Sequence, residues 1–104
     1  MHIKKKSRTM EFLEGVMGGP LTMSGLIEAI RLGEDMSQTA FAHKLGISPS
    51  HLCDIEKGRK TLSPDRAARF AKILGYSEEQ FVSLALQEMV NEAGLKMRIQ
   101  VVAA

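Results

Sequence analysis

At 104 residues the chain is long enough for one compact domain with a single small core, and its 44% apolar and 25% charged residues disfavour disordered and fibrous classes. Four Phe, one Tyr and no Trp leave Leu, Ile, Ala and Met to fill that core, which favours packed helices over a sheet sandwich. The net charge of +2 is unevenly spread: outside a basic arm of Lys4, Lys5, Lys6 and Arg8, the sizeable basic stretch lies within residues 36–60, as suits a polyanion site.

The arm is followed by M10-EFLEGVMGG, which carries two Glu and no apolar run of signal-peptide length. No stretch reaches the length of a membrane span, so a cytoplasmic location is expected. Thr9 is placed to cap a short helix through Met17, ended by G18-GP20. In L21-TMSGLIEAIRLG the residues Leu21, Met23, Leu26, Ile27 and Ile30 recur at helical spacing, predicting a helix over residues 23–32 with Gly33 just past its last turn.

Ser37 is a good N-cap for Q38-TAFAHKL45, with Phe41, Ala42 and Leu45 inward and Gly46 as terminator. Ser48 caps again with Pro49 at the first helical position, where its missing N–H costs nothing, and this helix runs to about Lys57 before Gly58. Two short helices separated only by G46-IS48 must cross steeply, the geometry of a helix-turn-helix. Ser63-Pro64 opens D65-RAARFAKIL74, with Ala67, Ala68, Phe70, Ala71, Ile73 and Leu74 apolar and Gly75 at its end. Ser77 with Gln80 forms a capping box for E78-EQFVSLALQEMVNEA93, closed by Gly94.

Five capped helices in series predict an all-α domain. L95-KMRIQVV102 breaks the rhythm, alternating Leu95, Met97, Ile99 and Val101 with Lys96, Arg98 and Gln100 at the period of a half-buried strand. A lone strand is unstable, so the segment either frays or pairs with its symmetry mate, another protein or the N-terminal arm. These divisions give an arm and short helix over residues 1–20, a core over 21–76, and a C-terminal helix with a strand-like dimerisation segment over 77–104.

Successive residues 100° apart put Leu52, Ile55 and Glu56 on one side of the helix after Ser48 and Ser50, Cys53, Asp54 and Lys57 on the other, with His51 at the margin. A carboxylate on the inner side needs a partner, and Arg31 is the only cation between residues 9 and 43. An Arg31–Glu56 ion pair is therefore expected to lock this helix against the one over residues 23–32.

M36-SQTAFAHKLGISPSHLCDIEKGRKTLSPDRAARFAKILGYS77 resembles the Cro and phage-repressor type of helix-turn-helix, the Xre group of bacterial regulators. The marks are the Ser-Gln opening the second helix, Ala42, the Gly46 turn and the Ile55-Glu56-x-Gly58 ending. The resemblance implies a lambda-repressor-like five-helix domain, in which Arg31 and Glu56 occupy a structural ion-pair position. It implies a homodimer that binds double-stranded DNA as a transcriptional regulator, a repressor of a palindromic operator. Pro49, Ser50 and Asp54 match positions that reach base edges, with His51 and Lys57 flanking them. Gln38, Lys44, Ser48, Lys57, Arg59 and Lys60 fall where phosphate is met.

Two departures stand out. Pro49 has no side-chain donor, and Asp54 either accepts from cytosine or pairs with Arg59 or Lys57 and reads nothing. The entry GGPLTMSGLIEAIRLGEDMSQ and the strand-like end also resemble some HigA-type antitoxins, which bind a protein toxin as well as operator DNA. An enzyme is disfavoured: His51 and Cys53 lie two apart on a helix and point different ways, and no glycine-rich phosphate cradle or paired carboxylates are visible. The lone Cys53 excludes an internal disulfide, and no Cys/His cluster has metal-ligand spacing, so neither metal nor cofactor is expected.

Overall fold

The computed structural model describes residues 21–104, so the basic arm and the helix expected over residues 9–17 lie outside the described residues. Hydroxyl side chains start each of the five helices found there. Thr22, Ser37, Ser48, Ser63 and Ser77 accept the backbone N–H of Gly25, Ala40, His51, Arg66 and Gln80, one of the donors that a first helical turn leaves unpaired. They open α1 (Met23–Gly33), α2 (Gln38–Leu45), α3 (Pro49–Glu56), α4 (Pro64–Leu74) and α5 (Glu78–Glu92).

The helices also share one way of ending. After α2, Gly46 takes a φ of 75°, its N–H reaches His43 O, and the N–H of Ile47 reaches back to Ala42 O at 3.0 Å. The same pair of bonds recurs around Gly58, Gly75 and Gly94. After α1 the left-handed position is not the expected Gly33, which sits inside the helix, but Asp35, with a φ of 57°. The reason lies in Arg31: its Nη1 donates to Met36 O at 3.0 Å while the Met36 N–H returns to Arg31 O at 3.2 Å, so the turn falls where it wraps that guanidinium.

One core joins all the helices. Met23, Leu26, Ile27 and Ile30 from α1 meet Phe41, Ala42 and Leu45 from α2, and Leu52 and Ile55 from α3. Leu62 before α4, then Ala67, Phe70 and Ala71, and finally Phe81 and Ala85 from α5 complete it. On α4 the inward face is narrower than the run of apolar residues suggests: Ile73 is exposed, and Ala68 and Leu74 are half-buried. α4 and α5 pack against each other most extensively, while α3 rests on both α1 and α2. Burying methylenes on each α3 contact holds that short helix, which eight residues alone would not sustain in water.

Residues 95–104 form no β-ladder with any described residue. They are tied to α5 by the Gln87 side chain, whose Nε2 donates to Met97 O and whose Oε1 accepts from the Ile99 N–H, both at 2.8 Å. The alternation in this segment is real, but a strand needs a neighbouring backbone, and a single side-chain amide supplies only one step of one.

α5 closes the domain by returning to the start of α1, where Glu88 Oε2 accepts the Met23 N–H at 2.7 Å. Burial raises the Glu88 carboxyl above its ordinary value; the Met23 bond opposes that rise and nearby Glu92 adds to it. A raised carboxyl pKa in the folded state means that protonation favours folding. The cost of ionising Glu88 is absent below its unfolded value and develops as pH rises through the folded value. Glu88→Gln retains an acceptor for Met23, so thermal melts should show it matching the parent at about pH 4 and exceeding it at about pH 7. A parent more stable than the variant at the higher pH would contradict this account.

Candidate nucleic-acid interface

α2 and α3 are joined by Gly46, Ile47 and Ser48, and this turn fixes which side of α3 faces outward. Gly46 reverses the chain in the left-handed conformation, half-buried Ile47 packs against the core, and Ser48 at once caps α3. Pro49 adds a preset φ at the first helical position without wasting a donor. Leu52 and Ile55 are fully inside, so the opposite face is left to Ser50, Cys53, Asp54 and Lys57.

The roll of α3 is set by Glu56. Its side chain is only 2% exposed, and it accepts Arg31 Nε at Oε2 (2.8 Å), Arg31 Nη2 at Oε1 (3.1 Å) and Gln38 Nε2 at Oε1 (2.9 Å). Arg31, 12% exposed, uses its remaining Nη1 on Met36 O. A buried carboxylate survives only when its charge is paired and its lone pairs are used, and both conditions are met here. The same hydrogen bonds raise the Arg31 guanidinium further above its ordinary value, against the opposing pull of burial.

Around this anchor the structure places the other sequence-identified residues as follows. Ser48, Pro49 and Ser50 are exposed at the N-terminus of α3, where backbone N–H groups and the helix dipole favour an anion. Gln38, at the start of α2, turns its amide inward to Glu56, so it supports α3 from beside the surface. Lys44, at the end of α2, reaches Glu34 Oε1 at 2.8 Å across a partly exposed pair. Lys57 and Lys60 are exposed and make no ion pair among the described residues.

Asp54 is where the alternatives part. Its Oδ1 accepts Arg59 Nε at 2.8 Å, and the Arg59 N–H bonds Asp54 O at 2.8 Å, so side chain and backbone both bind Arg59 to the end of α3. Arg59 Nη2 also lies 3.8 Å from Cys53 Sγ. The Asp54 hydrogen bond raises the Arg59 guanidinium above its ordinary value. In this arrangement Oδ1 is engaged by Arg59 across a partly exposed pair. Of the two alternatives open for Asp54, this geometry shows the pairing with Arg59.

One residue on this surface had no signal in the sequence. Arg66, from the first turn of α4, brings Nη1 to 3.2 Å from His51 Nε2 and 3.4 Å from Nδ1. Near-equal distances to both ring nitrogens place the guanidinium against the ring rather than along one lone pair. Arg66 carries no local motif and meets His51 only because the tertiary fold brings the first turn of α4 near α3. It adds a cation to a surface that already holds Lys44, Lys57, Arg59 and Lys60.

Replacing Glu56 with Gln removes the charge while leaving Arg31 buried and facing a neutral amide. Breaking one side of a buried pair costs about 3 kcal/mol, so Glu56→Gln should lower stability by that order in denaturant titration. Arg31→Met with Glu56→Met should recover most of the loss, because two apolar side chains leave no unpaired charge. Equal stability of Glu56→Gln and the parent would show that the pair does not hold α3.

Among the described residues no group of His, Cys, Asp and Glu side chains is arranged to hold a metal ion, and no helix is long and apolar enough to cross a membrane. A helix-turn-helix family model matches residues 27–81, from within α1 to the first turn of α5. The chain matches no curated protein and no solved structure at a significant level.

Proposed function

The chain belongs to the Cro and phage-repressor type of helix-turn-helix proteins, the Xre family of DNA-binding transcription regulators, and from that premise we propose that it is a dimeric repressor of a palindromic operator. The observation that carries this reading is the placement of α3. A buried charge network locks one side of it, and its other side, with the N-terminus capped by Ser48, stands exposed amid cations.

In this proposal α3 enters the major groove of each half-site, and the two copies of α3 lie about 34 Å apart, one turn of DNA. Ser50 and His51 meet base edges, Pro49 contributes apolar contact, and DNA shape supplies part of the selectivity. Ser48 and the first turn of α3 take one phosphate; Lys57, Arg59 and Lys60 follow the backbone beyond Gly58. Gln38 supports this surface through Glu56, and Lys44 exchanges Glu34 for phosphate. Asp54 orients Arg59, and Arg66 backs His51.

A second reading, an antitoxin that also binds a protein toxin, draws on the exposed apolar side chains of Leu95, Met97 and Val102. A toxin-sized reading frame beside this gene, whose product forms a complex with the chain, would favour it.

Selection of bound oligonucleotides from a random pool tests the operator reading and should return a palindrome with half-sites one turn apart. On the selected site, Arg59→Ala with Lys60→Ala should weaken binding at all sequences and reduce the slope of log K against log salt by about 1.8, since each lost phosphate contact removes about 0.9. Ser50→Ala should act on particular base pairs and leave that slope in place. An unaltered slope in the double variant would remove Arg59 and Lys60 from the backbone contacts.

A further inference from the structure

The segment after α5 is held by only a few backbone hydrogen bonds among the described residues. Gly94, with a φ of 78°, turns the chain back beside α5, and the Gln87 amide then bridges Met97 O and the Ile99 N–H. Gln87 Nε2 also donates to Asn91 Oδ1 at 3.0 Å, which fixes the amide's orientation. Bonding the carbonyl of one residue and the N–H of the second residue on is what a residue of a neighbouring parallel strand does, and it requires residues 97–99 to be extended.

That geometry decides which backbone groups remain open. Along an extended chain, alternate residues direct their N–H and C=O to opposite edges. With Met97 and Ile99 turned to α5, Lys96, Arg98 and Gln100 present theirs outward. None of these outward groups takes a hydrogen bond among the described residues. The segment is also apolar where it is uncovered: Leu95 is 47%, Met97 62% and Val102 56% exposed, and Met89 on α5 is 45% exposed. An open strand edge beside exposed apolar side chains is a pairing surface.

We propose that a second copy of this chain completes the edge, pairing antiparallel about a two-fold axis through Ile99. This deepens, and rests on, the dimeric reading above. In that register Arg98 and Gln100 of the two copies exchange both backbone bonds, as do Lys96 and Val102, so every bond uses an outward-facing group. Ile99 faces Ile99 and Met97 faces Val101 in non-hydrogen-bonded pairs, where side chains approach most closely.

Charge selects this axis over its neighbour. An axis at Arg98 also uses outward groups, but it sets Arg98 against Arg98. With the axis at Ile99, Arg98 meets Gln100 and Lys96 lies along Val102, so no like charges stand opposite each other. A segment with two cations and no acid is thereby self-complementary, and the interface is isologous, as a two-fold requires. Gln87 has already ordered the strand, which offsets part of the entropy that makes an isolated two-stranded ribbon marginal.

The test uses the full chain in a Cys53→Ser background, with a single cysteine placed by Ile99→Cys or by Arg98→Cys. Facing residues of a non-hydrogen-bonded pair lie about 4.5 Å apart between Cα atoms, within disulfide reach. In a glutathione redox buffer, Ile99→Cys should form a covalent dimer at least about tenfold faster than Arg98→Cys. In sedimentation, Ile99→Asp should weaken dimerisation by more than about a hundredfold. A dimer that cross-links faster through position 98, or that Ile99→Asp leaves intact, overturns this interface and leaves the dimeric reading standing. A parent chain that is monomeric and occupies a single half-site overturns both, and a segment that pairs only with a toxin protein overturns this interface alone.

Discussion

The Arg31–Glu56 pair governs the geometry on which the proposed DNA-reading surface depends. Removing two charges from water is costly, and an apolar contact of the same volume would serve stability at least as well. What the pair adds is direction. A bidentate bond from a planar guanidinium, with Gln38 on the same oxygen and Met36 O on the remaining nitrogen, allows one orientation of α3 relative to α1 and α2. Leu52 and Ile55 alone would hold α3 down while leaving it free to roll.

The outer surface follows the opposite logic. Its ion pairs, Lys44 with Glu34 and Arg59 with Asp54, are solvated and weak, so each cation is held near its place at little cost to its release. In the proposed complex, a phosphate of high charge density would compete well for such groups. The two carboxylates also lower the net positive field of this surface. Buried charges set the scaffold, and exposed ones remain exchangeable.

The C-terminal segment shows a third use of side-chain polarity. Gln87 stands in for a strand, with one donor and one acceptor spaced like a backbone. The segment is thereby kept close to α5 and extended, yet its second edge is open. The period-two alternation of residues 95–101 therefore has structural meaning without a sheet among the described residues.

The amino-acid sequence by itself determined the five helices, most of their caps and the helix-turn-helix, because hydroxyl caps, left-handed glycines and the 3.6-residue period act over a few residues. It also determined the Arg31–Glu56 partnership, since an inward carboxylate had only one cation within reach. It left Thr22 as a cap unnoticed and put the left-handed terminator at Gly33, because Arg31's bond to Met36 O, which draws that turn onto Asp35, has no local signature. Only the tertiary structure decided that Asp54 holds Arg59, that Arg66 stands against His51, and that Gln87 clasps residues 97–99. These contacts join residues whose side-chain directions depend on how whole helices pack, and no local period encodes that.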